Sequence, residues 1–284
     1  MIVPSVPVTP CPAAAGPVTG GQICAQALVQ FDAVAVSGAN EYRVKPCALV
    51  TTLTPLIVAV FSAAPDPAAP EALDGVPLRL YVFARHGEST ASAANVLSSD
   101  PSGPVALTAR GRAQARSLGA QLANLHIDLA VGTRLLRTQQ TIDIALDGRR
   151  VPTLIEPGFD ELQAGDLEGA QIQAYRSWRN HHTSSDRLPH GESIDDALQR
   201  YAGALRRLLA RKETVTLVVV HELALRYLTT AAQTGSSPVT GTAIRNAVPY
   251  LFDERAARRA AARLDALTLS AQSRPFPPSF RMRS

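Results

Sequence analysis

The sequence predicts an α/β fold of three layers, α/β/α, around a mostly parallel central sheet. Short apolar runs typical of buried strands cover residues 80–84, 129–131 and 215–220, and helical patterns alternate with them. This alternation favours parallel strands with helices on both faces. The chain has 284 residues, of which 46% are hydrophobic and 18% charged, so it is long enough to bury a substantial core.

The helices are predicted from apolar periodicity and from capping residues. Over residues 108–125 apolar side chains recur every three or four positions, and Thr108 is placed to cap that helix. A second helix is predicted over 135–146. Ser193 opens a third, long helix with two acidic residues in its first turn, where the helix dipole favours negative charge. The arginine-rich helix predicted over 253–268 is expected to lie at the periphery.

The N-terminal part of the chain differs in composition from the rest. Residues 1–75 are rich in proline, contain all three cysteines and show no sustained periodicity. We expect a disordered extension over 1–75, a folded catalytic domain over 76–268 and a disordered tail over 269–284. Within the extension, segment 43–64 combines a positive flank, a short apolar run and small residues, as a signal peptide does. We expect a cytoplasmic protein, with secretion as the alternative if translation starts internally.

Charge and cysteine content exclude several classes of protein. The net charge is +4, but the arginines near the C-terminus are scattered and do not form a stripe with interleaved aromatics. We therefore expect no nucleic-acid partner. The apolar run in the extension is too short and too interrupted for a membrane span, so no membrane partner is expected. Three cysteines, an odd number, do not indicate a disulfide scaffold.

Residues that carry chemistry follow the predicted strands. Arg85 and His86 follow the first strand and Arg137 the second, while Glu161 lies beyond the apolar stretch 153–155. His221 directly follows the strand 215–220. Because the carboxyl ends of parallel strands meet at one edge of a sheet, we expect these side chains to converge there.

This set of side chains suits a phosphate monoester. Arginine supplies planar, bidentate donors to a phosphate dianion. A neutral imidazole is a competent nucleophile near pH 7, and a protonated carboxylic acid can supply the proton that the leaving alkoxide needs. Such chemistry requires no metal, so we expect neither a metal site nor another cofactor. The tandem pair His181 and His182, considered together with His190, lacks the spacing of a metal site.

Six short motifs occur in an order that identifies a family. They are Arg85-His86-Gly87, Leu107-Thr108-x-x-Gly111-x-x-Gln114-Ala115, Arg137-x-x-Gln140-Thr141, Glu161 with Gly165 and Glu168-Gly169, Pro189-His190-Gly191-Glu192-Ser193, and His221 followed by Asn246 to Pro249. Over residues 78–252 the chain thereby resembles the histidine phosphatase superfamily, also called phosphoglycerate mutase-like. The resemblance implies a phosphoglycerate mutase-like sheet and a small phosphorylated substrate.

The resemblance also implies a role for each matching residue. His86 would be the nucleophile that becomes phosphorylated, and Glu161 would be the proton donor. Arg85, Arg137 and His221 would line the phosphate pocket, with His221 also counted among the catalytic residues. The resemblance implies no metal and no cofactor, and it says nothing about the oligomeric state.

Two positions depart from the family pattern. The family usually has Asn six residues after the first histidine, where this chain has Ser92; we take Ser92 as a phosphate ligand, with Asn95 as a nearby substitute. The second histidine is usually followed by Gly, and here Glu222 follows. A carboxylate beside the pocket would repel a phosphate dianion, so we expect Glu222 to point away from it.

Three functions remain open from the sequence. The first is a metal-independent phosphatase acting on small phosphate monoesters through a phosphohistidine. The second is a phosphoglycerate mutase, although the chain lacks the Trp-Asn that such mutases carry after the first histidine and has no long insertion before the second. The third is a catalytically weak module that binds a phosphorylated ligand. A polar loop over 170–190, with Arg176, Trp178, Arg179 and Arg187, could act as a flap, whereas Arg134 is expected only at the rim.

Overall fold

A computed structural model describes residues 33–35, 57–60, 79–233 and 244–269. Apart from the two short segments at 33–35 and 57–60, the extension predicted over 1–75, including the signal-like segment 43–64, lies outside the described residues. The predicted tail 269–284 lies outside them beyond Leu269. The predicted domain boundaries therefore stay predictions.

The described strands form one sheet of seven strands in the order β1-β2-β7-β3-β6-β4-β5. They are β1 (Ala33–Ala35), β2 (Ile57–Val60), β3 (Leu80–Arg85), β4 (Leu129–Gly132), β5 (Thr153–Ile155), β6 (Val215–Val220) and β7 (Pro249–Asp253). Neighbouring strands are parallel except for β3 and β7, which are antiparallel. The predicted fold class, a mostly parallel sheet between helical layers, is confirmed.

The helices begin and end close to the predicted positions. They are α1 (Thr90–Ala93), α2 (Ala109–Gln121), α3 (Leu136–Ala145), α4 (Ile172–Arg179), α5 (Ile194–Leu209), α6 (Glu222–Ala232) and α7 (Glu254–Leu269), with 3-10 turns at Pro157–Phe159 and Gly165–Leu167. Thr108 caps α2 by accepting a hydrogen bond from the Gly111 amide at 3.0 Å. Ser193 and Asp196 form a reciprocal capping box at the start of α5.

The sheet separates two apolar cores. Side chains alternate along β3, so Tyr81 and Phe83 face one side and Val82 and Ala84 the other. The larger core includes the buried faces of α5, α6 and α7, and the smaller one those of α2 and α3. This arrangement fixes the central strands β3 and β6, whose carboxyl ends carry the candidate site.

Helix α7 is not peripheral, which corrects the expectation for residues 253–268. Its side chains Ala256, Ala257, Ala260 and Leu264 are fully buried in the larger core. Alanine has little hydrophobic surface, so the pattern looks weak in sequence, yet small side chains allow helices to approach each other closely. None of the helices in the described part of the chain combines the length and apolar character needed to cross a bilayer.

Candidate active site

The two histidines are brought together by neighbouring parallel strands. Arg85, the last residue of β3, is paired in register with Val220, the last residue of β6. His86 and His221 follow directly, and the His86 amide donates to the Val220 carbonyl at 3.0 Å. The centroids of the two imidazole rings lie 5.3 Å apart. The predicted convergence at the carboxyl edge therefore matches the geometry.

The loop after β3 is held against α2 and α3 by motif residues. Gln114 Oε1 accepts from the Glu88 amide at 2.8 Å, and Thr141 Oγ1 accepts from the Gly87 amide at 3.0 Å. A Cβ atom added to Gly87 would lie 2.5 Å from the carbonyl oxygen of Gly111, so only glycine allows this approach. These residues fix the backbone that carries His86.

The hydrogen bonds of His86 define its tautomer. Its Nδ1 lies 2.7 Å from the Gly87 carbonyl, which can only accept, so Nδ1 carries the hydrogen. Its Nε2 then carries the lone pair, which accepts from Arg137 Nε at 3.1 Å, so attack by Nε2 requires Arg137 to exchange this bond for one to a phosphate oxygen. Burial, together with Arg137 and Arg85, lowers the pKa of His86 well below its usual value. The ring is therefore neutral near pH 7, with Nε2 available as a nucleophile.

Arg137 is the centre of the site and is only 3% exposed. Besides the bond to His86, its Nη2 donates to the Ser98 carbonyl at 2.9 Å and to His221 Nδ1 at 3.3 Å. Its Nη1 is buried and has no hydrogen-bond partner among the described residues. A buried guanidinium nitrogen without an acceptor is costly, and an anionic oxygen would satisfy it. The Nε of Arg85 is buried and unsatisfied within the same part of the chain.

His221 is fully buried beside Arg137. Because Arg137 donates to Nδ1, the hydrogen of the neutral ring is on Nε2, which donates to Thr133 Oγ1 at 3.0 Å. Burial and the nearby arginines lower the pKa of His221 well below its usual value. His221 Nδ1 also lies 3.8 Å from Glu161 Oε2, so the candidate proton donor lies beside the histidines.

The Glu161 carboxyl has the electrostatics of a proton donor. Burial raises its pKa above the usual value, and the opposing effect of Arg137 is smaller. Its side chain keeps about a quarter of its surface exposed, so it lies at the pocket's opening. The preceding Asp160 is held by Arg134, whose Nε donates to Asp160 Oδ2 at 2.6 Å. The Arg134 side chain is half-exposed, as expected for a rim residue. Its ion pair with Asp160 also anchors the loop that carries Glu161.

Arg200 was not identified from the sequence, although it holds the loop that carries Glu161. Its Nη1 donates to the Asp160 carbonyl at 2.9 Å and to the Gly158 carbonyl at 3.1 Å. The same guanidinium forms a bidentate ion pair with Glu192, at 2.9 and 2.7 Å. An arginine on an amphipathic helix resembles a surface residue in sequence. The sequence signal for this contact was Glu192 within its motif. That motif predicts a carboxylate at this position but does not show which cation pairs with it.

Ser92 uses its hydroxyl within its own helical turn. Its Oγ accepts from the Ser89 amide at 2.8 Å and donates to the Ser89 carbonyl at 2.9 Å, as part of a capping box. A phosphate ligand role would require Ser92 to exchange these bonds, and that role stays a prediction. Asn95 adopts a positive φ of 55° just after α1, a conformation that asparagine tolerates.

Glu222 does not point away from the pocket, which corrects the expectation from sequence. Its Oε2 lies 2.9 Å from Arg85 Nη1, and its Oε1 accepts from Arg226 Nη2 at 2.6 Å. The physical reason is that Arg85 ends β3 next to the start of α6, which brings this pocket arginine within ion-pair distance of Glu222.

The predicted loop 170–190 contains a helix. Residues 172–179 form α4, in which Trp178 stacks on His182 with ring centroids 4.0 Å apart. Arg187 pairs with Asp196 at 2.5 Å. No cluster of three or more His, Cys, Asp or Glu that could hold a metal ion occurs within the part of the chain that the structure describes.

Comparisons with known proteins agree with this geometry. Residues 81–249 match the family model of the histidine phosphatase superfamily (branch 1). A relative from Erwinia tasmaniensis named probable phosphoglycerate mutase GpmB is 31% identical over 159 residues, covering 53% of this chain and 73% of the relative. A relative of the same name from Enterobacter sp. (strain 638) is also 31% identical, over 52% of this chain and 71% of the relative.

A solved structure with a similar fold was found. YhfR of Bacillus stearothermophilus superposes with a TM-score of 0.54 at 22% identity, covering 61% of this chain and 90% of that one. A putative alpha-ribazole-5'-P phosphatase from Escherichia coli is 29% identical with a TM-score of 0.49, over 54% of this chain and 78% of that one. Since the family model matches more than half of the chain, the chain belongs to the histidine phosphatase superfamily, branch 1.

Proposed function

We propose that this protein is a metal-independent phosphatase that hydrolyses small phosphate monoesters through a phosphohistidine on His86. The observation that carries the proposal is the lone pair of His86 Nε2 beside the unsatisfied Nη1 of the buried Arg137. The nucleophile therefore lies next to a guanidinium group that has a donor without an acceptor. This arrangement suits a phosphate ester, whose oxygens would bind the guanidinium while the histidine attacks its phosphorus.

The proposed reaction has two steps. His86 Nε2 attacks phosphorus, the phosphorus–oxygen bond to the alcohol breaks, and Glu161 gives its proton to the leaving alkoxide. A water molecule then attacks the phosphohistidine, Glu161 takes the proton of that water, and inorganic phosphate leaves. Arg85 and Arg137 bind the phosphoryl oxygens and supply the positive charge that a metal would otherwise provide. His221 would bind a phosphoryl oxygen through Nδ1, which requires that nitrogen to take up a proton in place of its bond from Arg137.

The test is phosphate release from an aryl phosphate in excess chelator by the wild type and by His86→Ala. We expect turnover by the wild type and a loss on the order of 10³-fold or more in the variant, since nucleophilic catalysis is removed. Rapid quenching of the wild type should trap a phosphoryl group that is labile in acid and stable in base. Turnover that survived in His86→Ala would contradict the proposal.

A phosphoglycerate mutase is the second candidate, favoured by the names of the two curated relatives. It would use the same histidine but return the phosphoryl group to a bound intermediate instead of to water. Interconversion of the two phosphoglycerates without release of phosphate would establish it. Tight binding of a phosphorylated ligand with no turnover would instead indicate the binding module.

We also propose a cytoplasmic location for the catalytic domain. Mass spectrometry of the native N-terminus tests it, and a mature end near Pro65 would show export instead.

A further inference from the structure

Glu222 is a charged residue beside the pocket, and the proposed mechanism gives it no role. It occupies the first position of α6, directly after His221. Its two carboxylate oxygens contact two different arginines, Arg85 at 2.9 Å and Arg226 at 2.6 Å. The carboxylate therefore lies against the phosphate pocket, close enough for its charge to repel a second anionic group on a bound substrate.

Glu222 is held in place by two cations and a helix start. Two guanidinium groups contact it, and the positive end of the α6 dipole favours an acidic residue in the first turn. Its side chain is 28% exposed, so it is partly open to solvent. A carboxyl group thus lies at the rim of the pocket.

The contact with Glu222 also limits how Arg85 can bind a substrate. Arg85 Nη1 donates to the Ile244 carbonyl at 2.9 Å as well as contacting Glu222. These contacts orient the guanidinium and leave its buried, unsatisfied Nε for the phosphate. The carboxylate of Glu222 therefore lies directly beside the arginine that is proposed to bind the phosphate.

Glu222 is also close enough to Glu161, the proposed proton donor to the leaving alcohol, for their charges to interact. Burial is the main cause of the raised pKa of Glu161, and the charge of Glu222 adds to it. A carboxylate near the leaving alcohol repels an anionic substituent on that alcohol and accepts hydrogen bonds from its hydroxyl groups.

We propose that Glu222 is a specificity-determining residue that selects phosphate monoesters of uncharged, hydroxyl-bearing alcohols over those whose alcohol carries a second anionic group. This inference rests on the proposed phosphatase function and adds the substrate class. Like-charge repulsion would disfavour esters whose alcohol carries an anionic group, and hydrogen bonds to Glu222 would favour esters whose alcohol carries hydroxyl groups.

The test uses glycerol phosphate, esterified at a terminal carbon, and 3-phosphoglycerate. The two esters differ at one group, which is a hydroxymethyl group in the first and a carboxylate in the second. For the wild type we expect kcat/KM to be about tenfold or more higher for glycerol phosphate, chiefly through KM. In Glu222→Gln and in Glu222→Gly the preference should shrink by about tenfold, and salt should reduce the wild-type preference because it screens the repulsion.

Glu213→Gln is the matched control. Glu213 precedes β6 at the end of the sheet opposite to His221, and it pairs with Arg211 at 2.6 Å. The Glu213→Gln variant loses one negative charge, as Glu222→Gln does, but far from the pocket. Its preference for glycerol phosphate over 3-phosphoglycerate should therefore equal that of the wild type.

Hydrolysis of an aryl phosphate, measured in parallel, separates the two hypotheses. Aryl turnover together with a preference that neither Glu222 variant changes overturns the inference and leaves the phosphatase function intact. A wild-type preference for 3-phosphoglycerate also overturns it. A wild type that hydrolyses none of the three esters overturns the proposed function and this inference with it.

Discussion

At the scale of single residues, the site depends on histidines and a carboxyl whose protonation is shifted in opposite directions. Burial and neighbouring arginines lower the pKa of His86, while burial raises the pKa of Glu161. With ordinary pKa values of about 4.3 for the carboxyl and about 6.5 for the imidazole, a protonated acid and a neutral imidazole do not both predominate at any pH. The two opposite shifts bring the pH range of the neutral nucleophile and that of the protonated donor towards each other.

The pH dependence of kcat/KM follows from these shifts. Activity should fall at low pH only where His86 becomes protonated, well below its usual pKa, and fall at high pH where Glu161 loses its proton, above its usual pKa. In Glu161→Gln the high-pH decline should disappear. A decline that persisted unchanged in this variant would exclude Glu161 as its cause.

Glu161→Gln should also distinguish good from poor leaving groups. Removing a general acid costs about 10²–10⁴-fold where the leaving alkoxide is strongly basic. An alkyl phosphate should therefore lose far more activity than an aryl phosphate whose phenol is acidic. Equal losses for both esters, measured as kcat, would contradict the role of proton donor.

At the scale of elements, α5 positions the loop that carries Glu161. Arg200, in the middle of this helix, donates to the carbonyls of that loop and is itself held by Glu192. Arg200 touches no reacting atom in the proposed mechanism, so it is a positioning residue. Its effect on catalysis should pass through the placement of Glu161.

Arg200→Gln should lower kcat by on the order of tenfold to a hundredfold, because small displacements of a catalytic group are costly. KM for phosphate esters should change little, and Arg200→Lys should recover part of kcat. The high-pH decline should move in Arg200→Gln, which a purely structural defect would not produce.

The matched control lies on the same helix. Arg206 pairs with Asp265 at 2.5 Å and touches no part of the Glu161 loop. Arg206→Gln should keep the wild-type kcat and pH profile. A similar loss of kcat in both variants would attribute the effect to α5 as a whole.

At the scale of the whole molecule, stability is linked to the two buried histidines. Both have folded-state pKa values well below the usual one, so the unfolded chain binds more protons than the folded chain as pH falls below about 6.5. Stability is retained above that pH and is lost as pH falls towards the folded-state pKa values.

Replacing one of these histidines should weaken that dependence. In His86→Gln, the slope of the unfolding free energy between pH 6.5 and 5 should be smaller than in the wild type by up to about 1.4 kcal/mol per pH unit. Denaturant titrations at several pH values measure it. A slope in His86→Gln equal to that of the wild type would contradict this link between stability and the buried histidine.

Much of the fold and site could be predicted because the signals are local. The apolar runs of β3 and β6 end directly on Arg85-His86 and on His221, so strand and site residue are encoded together. Caps such as Thr108 and Ser193 act over three residues and are equally visible in sequence.

The tertiary structure alone decided the contacts between residues distant in sequence. The sequence by itself determined the α/β fold class, the central strands and the order of the motifs, and it predicted the candidate site residues. It did not determine that Glu222 meets Arg85, that Arg200 meets Glu192 and the Glu161 loop, or that the alanine face of α7 is buried. The physical reason is that a charge's partner and a small side chain's burial depend on which surfaces the fold brings together, and no local periodicity records them.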